Sequence, residues 1–127
     1  MTHPDPAADP LARLHLKIQL GGDVLLGPGK AELLEHIRDT GSISAAGRAM
    51  QMSYKRAWLL VEEMNAAFRD PLVDSVRGGP GGGGAQLTAS GQAVLHLYRQ
   101  VALTAALAAS DDIARLAALL QDMSARK

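Results

Sequence analysis

The sequence predicts a mainly α fold with a small β component, on three observations. Apolar residues recur at helical spacing through most of residues 29–40, 44–68 and 89–120. Strict alternation, the mark of a half-buried strand, occurs only near the N-terminus at LHLKIQL. A glycine-rich run, RGGPGGGGA, separates two short segments able to pair as strands. With 127 residues, 47% of them hydrophobic, one domain with a real core is expected.

Composition removes several function classes. There is no cysteine, so disulfides and thiolate metal sites are excluded and a cytoplasmic location is the default. The opening MTHPDPAADP carries acids and prolines where a secretory signal would have a basic start and an apolar run. No membrane span is expected, and residues 1–12 read as a disordered tail. His3, His15, His36 and His96 lack metal-ligand spacing, so no metal site is expected. No Ser/His/Asp group can be inferred either, and paired acids such as Glu62-Glu63 read as helix surface. No catalytic residues are assigned and the chain is not expected to be an enzyme.

Net charge is zero, but its distribution is uneven. Residues 41–61 carry Arg48, Lys55 and Arg56 with no acid, a locally unopposed basic segment in a neutral chain.

In chain order, Leu14, Leu16, Ile18 and Leu20 alternate with His15, Lys17 and Gln19, predicting a strand over 14–20 with one buried face. Gly21-Gly22-Asp23 then supplies a turn, so Val24 to Leu26 can return as a hairpin. A first helix over 29–40 has Pro28 near its first turn, a cluster of Leu33, Leu34 and Ile37, and Gly41 as its stop.

The next run, SISAAGRAMQMSYKRAWLLVEEMNAAF, predicts two helices joined by a tight turn. Ser44 is the expected N-cap of a short helix through Met50, whose small residues Ala45, Ala46, Gly47 and Ala49 permit close packing. Ser53 is the expected cap of the second, with Ala57, Val61, Met64 and Phe68 at helical spacing. Such a pair is a helix-turn-helix, in which the start of the second helix meets base edges in the major groove. Those positions hold Ser53, Tyr54, Lys55 and Arg56, where the unopposed charge lies. Arg can contact guanine in bidentate fashion and Lys can take guanine or phosphate. The apolar neighbours of Trp58 point to a core or interface residue rather than a stacking platform.

The glycine run satisfies GxGxxG literally, but no second parallel strand follows and no acid occurs before Asp111, so it is a poor dinucleotide fingerprint. A wing fits better: Leu72 to Val76 and Ala85 to Leu87 as strands, with glycines at the tip and Arg77 at its base. A plain linker is the other reading, opposed by Thr88, which is placed to cap a helix immediately afterwards.

From Ala89 the pattern is helical. Val94, Leu95, Tyr98 and Val101 form a stripe, and Ser110-Asp111-Asp112 looks like a new N-terminus ahead of Ile113, Leu116 and Leu120. So much apolar surface in a small chain predicts a homodimer, with Val94, Leu95, Tyr98, Val101, Leu116 and Leu120 at the interface. The expected organisation is a tail (1–12), a winged helix-turn-helix DNA-binding domain (13–88) and C-terminal dimerisation helices (89–127).

The combination GSIS, SYKxAW, EMN and GG-x-GGGG-A-x-LT-x-x-G, in this order, resembles the N-terminal LysR-like winged helix-turn-helix domain of ModE-type molybdate-responsive transcription regulators, over about residues 14–105. The resemblance implies a dimeric repressor or activator that holds double-stranded DNA upstream of molybdate-uptake or molybdoenzyme genes. The DNA-facing set is then Ser42, Ser44, Ser53, Tyr54, Lys55, Arg56, Arg77, Gly79, Gly81, Gly82, Gly83 and Thr88.

Two departures bear on what carries over. The family usually has glycine in the turn before SYK, where Gln51 stands here; a left-handed conformation there would cost about 1 kcal/mol, so a slightly different turn is expected. Regulators of this type also continue into oxyanion-binding modules, whose Ser-Ala-Arg-Asn opening is similar to Ser124-Ala125-Arg126-Lys127. With Lys127 in place of Asn and nothing following, no molybdate or other cofactor is expected, and a separate sensor protein could supply the signal. The alternative function is a winged helix used for protein contacts that does not itself read DNA, docking through the stripe at 94–105.

Overall fold

The computed structural model describes residues 13–76 and 84–121; the expected tail, the glycine tip and the last six residues lie outside the described residues. Along the chain run β1 (Ile18–Gly21), β2 (Val24–Leu26), α1 (Pro28–Thr40), α2 (Ile43–Ala49), α3 (Tyr54–Ala67), β3 (Val73–Val76), β4 (Gly84–Leu87), α4 (Ala89–Ala108) and α5 (Ser110–Ala118). β1 pairs antiparallel with β2, and β3 with β4. Among the described residues, those within 16–100 form one compact unit, and residues 13–15 and 101–121 group separately.

The first strand is shorter than its alternation predicted. β2 has only three residues to offer, and the pairing slips between Gln19 and Gly21, leaving Leu20 as the unpaired bulge residue. Leu14 and Leu20 are consequently exposed, while Leu16 and Ile18 are half-buried.

α1 follows the expected plan. Pro28 opens it, where its missing N–H costs nothing, and Gly41 ends it at φ 72°, donating its N–H to Ile37 O at 2.8 Å. Leu33, Leu34 and Ile37 of this helix are fully buried and centre the core. Around them lie Ala46, Ala57, Val61, Met64, Leu72, Ala85 and Leu95. Burial of each large aliphatic side chain contributes roughly 1.5–3 kcal/mol.

The body continues into α4, three turns past the boundary expected at residue 88. Thr88 caps α4 by accepting the Gly91 N–H at 3.0 Å, while its hydroxyl donates to Pro71 O at 2.6 Å. At Gly91 any Cβ would collide with the Leu72 carbonyl, so glycine lets α4 pass the start of the wing. Leu95 and Tyr98 are each 3% exposed. These two residues, expected at a dimer interface, are thus spent on the chain's own core. The Tyr98 phenol donates to Leu16 O at 2.6 Å, and burial pushes its pKa up. Next to it, the Arg99 guanidinium grips both oxygens of Glu35, fastening α4 to α1.

In the second unit, α5 carries Asp111 and Asp112 in its first turn and Arg115 in its last, matching the helix dipole. Its N-cap is Ala109 rather than Ser110, whose hydroxyl instead donates back to Leu107 O at 3.1 Å. No residue of α5 is buried.

Candidate nucleic-acid interface

α2 and α3 form the expected helix pair, with one change of cap. Ser42, extended at φ −153°, ψ 127°, accepts the Ala45 N–H at 3.0 Å and starts α2. Ser44 sits inside the first turn, where its hydroxyl accepts from Arg48 Nη1 at 2.9 Å. The first serine caps because it alone lies just outside the helix in extended backbone. Ser53 caps α3 as expected, accepting the Arg56 N–H at 3.1 Å.

The turn between them is closed by backbone bonds: Gln51 N–H donates to Arg48 O at 3.0 Å and Met52 N–H to Gly47 O at 2.9 Å. Gln51 takes φ 59°, the one non-glycine residue with positive φ among those described. The left-handed turn is therefore kept without its glycine, against the expectation of a different turn; the backbone bonds on either side hold the strain. Gly47 lets the helices approach, since a Cβ there would come within 3.1 Å of Ala57 Cβ.

This geometry presents the start of α3 to solvent. Ala57, Val61 and Met64 face the core, while Ser53, Tyr54, Lys55 and Arg56 are exposed. Tyr54 is 57% exposed, and neither Lys55 nor Arg56 has an ion-pair partner among the described residues. Arg56 also lines a cleft of about 350 Å³ with Lys17, Lys30, Met50 and Met52, in which the Lys30 ammonium donates to Leu25 O at 2.8 Å and pairs with Glu63 at 3.5 Å. Trp58 is 42% exposed and so is not a core residue.

Beside α3 stands the wing stem. β3 and β4 pair in simple register from Val73 with Leu87 to Val76 with Gly84. Asn65 of α3 clamps its first strand: its Oδ1 accepts the N–H groups of Leu72 and Val73 at 2.8 and 3.1 Å, and its Nδ2 donates to Val73 O at 3.1 Å. The second strand is tied to the α1–α2 corner by Ala85 N–H donating to Gly41 O at 2.9 Å. A Cβ at Gly84 would strike that same carbonyl. Sequence reasoning gave Asn65 no role; the available signal was a lone amide at the edge of an apolar helix face.

The structure thus brings together Ser42, Ser44, Ser53, Tyr54, Lys55 and Arg56 on one helix pair. The Thr88 hydroxyl, expected at DNA, is engaged in capping α4. Arg77, Gly79, Gly81, Gly82 and Gly83 lie outside the described residues. Among the described residues no group of His, Asp and Glu gathers in a way that could hold a metal ion. None of their helices is long and apolar enough to cross a membrane.

Comparison with known proteins agrees with this architecture. Residues 29–92, half of the chain, match the family of bacterial regulatory helix-turn-helix proteins of the lysR type. The Escherichia coli K12 DNA-binding transcriptional dual regulator ModE is 40% identical over 87 residues, 68% of this chain and 33% of its own. The Azotobacter vinelandii molybdenum transport protein ModE is 40% identical over 89 residues, 70% of this chain and 32% of its own. The Rhodobacter capsulatus molybdenum-pterin-binding protein MopB is 44% identical over 73 residues, 58% and 27% respectively. This chain spans about a third of the length of the curated relatives it matches. Among solved structures, the CbnR DBD–DNA complex aligns with TM-score 0.52 at 23% identity, covering 71% of this chain and 95% of that one, which gives the same winged helix fold. From its capped helix pair, its wing stem and the match across both, the chain belongs to the lysR family of bacterial regulatory helix-turn-helix proteins.

Proposed function

We propose that this chain is a sequence-specific transcription regulator that binds double-stranded DNA as a homodimer, with target genes in molybdate transport or molybdoenzyme production. The observation that carries the reading is the start of α3, where Tyr54, Lys55 and Arg56 project from a capped helix, free of acidic partners among the described residues. A helix so placed can enter the major groove while the wing stem beside it reaches the backbone. The DNA-bound CbnR neighbour and the regulatory role in the E. coli relative's name support it.

Homodimerisation is supported by the apolar surface left on the C-terminal helices. Leu116, Leu119 and Leu120 are 66%, 82% and 68% exposed. Val101 is exposed as well, and Val94 is half-buried. Paired copies would read half-sites about one helical turn apart or at multiples of it. DNA binding requires no cofactor in this reading. In the same reading a separate sensor protein supplies the signal, and the work is done in the cytoplasm, where the DNA is. No catalytic role is assigned.

An anisotropy titration on DNA from upstream of molybdenum-related genes tests this, at two salt concentrations, with excess competitor, with and without molybdate. Binding should survive competitor, weaken steeply with salt and ignore molybdate. Arg56→Ala should cost about 1–3 kcal/mol and relax preference at one base position. Absence of salt-sensitive binding would favour the protein-contact module instead.

A further inference from the structure

Leu59 is the sixth residue of α3 and stands 51% exposed. At about 100° per residue it lies nearly opposite the buried Ala57, Val61 and Met64, one turn beyond Lys55 on the outward side of the helix. Along the axis it is about 7.5 Å from Tyr54, less than the depth of a major groove, about 8.5 Å. A helix whose first residues meet base edges therefore still has Leu59 inside the groove.

A leucine there can form no hydrogen bond. The base edges in the major groove offer donors, acceptors and a single apolar group, the C5-methyl of thymine. Against any other edge, Leu59 would desolvate a polar atom and leave it unpaired; against thymine it buries a methyl and loses its own exposed surface. Exposed Trp58 beside it widens the apolar surface. Lys55, without an ion-pair partner among the described residues, suits a neighbouring phosphate.

We infer that Leu59 is a specificity residue that reads thymine through its C5-methyl group in the major groove, an inference that rests on the DNA-binding reading above. It adds an apolar selection for A·T pairs to the polar readout by Arg56.

The test uses a duplex selected by the full chain from a random-sequence library. Each thymine is replaced in turn by deoxyuridine, which removes the methyl and leaves the pairing intact. Wild type should lose about fourfold in affinity at one or two positions and nothing elsewhere. In Leu59→Ala the thymine-to-uracil difference at those positions should fall to about onefold, while Leu59→Met keeps most of it. Because Leu59 is exposed, thermal unfolding of both variants should match wild type. Indifference of wild type at every thymine would overturn the inference, as would a Leu59→Ala variant that still distinguishes uracil at the same positions. In either case DNA binding itself would stand. Failure to select any duplex would instead remove the DNA-binding reading and this inference with it.

Discussion

Helices α3 and α5 are both amphipathic in sequence, yet the chain treats them differently. α3 has a serine cap, buries Ala57, Val61 and Met64, and holds the wing through Asn65. α5 has no side-chain cap bond and buries nothing; only Ile113 and Ala117 are half-buried. The pattern specifies a helix in both cases, but α3 has its apolar face covered within its own compact unit, whereas no residue of α5 is buried. A nine-residue helix has little stability of its own in water, so α5 depends on a surface to lie against. The first is packed and capped, and the second leaves its leucines exposed.

The contrast can be broken or sharpened by substitution. Leu33→Ala, in the core on which α1 and α3 rest, should cost about 3 kcal/mol, seen as a fall in melting temperature of more than about 12 °C; a small shift would mean that the body is not packed as described. Ser53→Ala should cost about 1 kcal/mol, measured by urea unfolding, whereas Ser110→Ala at the start of α5 should be nearly silent. Equal losses at the two serines would erase the distinction. Gln51→Gly relieves the left-handed strain but loosens the unfolded chain, for a net gain of about 0.5 kcal/mol, and a loss in the same unfolding assay would show that the Gln51 side chain earns its place. Smallest is the effect of Leu116→Ser on the chain's own unfolding, below about 0.5 kcal/mol, although sedimentation should shift from dimer to monomer. A large drop in stability of the dilute chain would show α5 to be part of the body.

Much of the fold was legible because its decisive residues act locally. Gly41 stops α1, Ser53 starts α3, Thr88 starts α4 and the wing strands bracket the glycines, each through chemistry confined to a few neighbours. What was missed depended on more distant partners. Ser42 and Ser44 are equally good caps on composition, and only the backbone path out of α1 chooses between them. The stripe of Val94, Leu95, Tyr98 and Val101 revealed a helix face but not what covers it. Its Leu95 and Tyr98 belong to the core, while Val101 remains exposed. The role of Asn65 rests on a strand eight residues further on that the helical pattern says nothing about. At the candidate site the types of side chain were readable from the sequence, as was their position at the start of α3. The outward direction of Leu59 needed the buried face to be known.

The two posts of the wing are pinned independently, one by Asn65 and the other by the Gly41 carbonyl. Tip length is thereby uncoupled from aim. Each pair of residues inserted between Val76 and Gly84 can extend the reach by at most about 3.5 Å, while the bases of both strands stay where the helix pair holds them. Descendants of such a chain can therefore lengthen or trim the tip, one small indel at a time, without shifting the helix pair that holds its base.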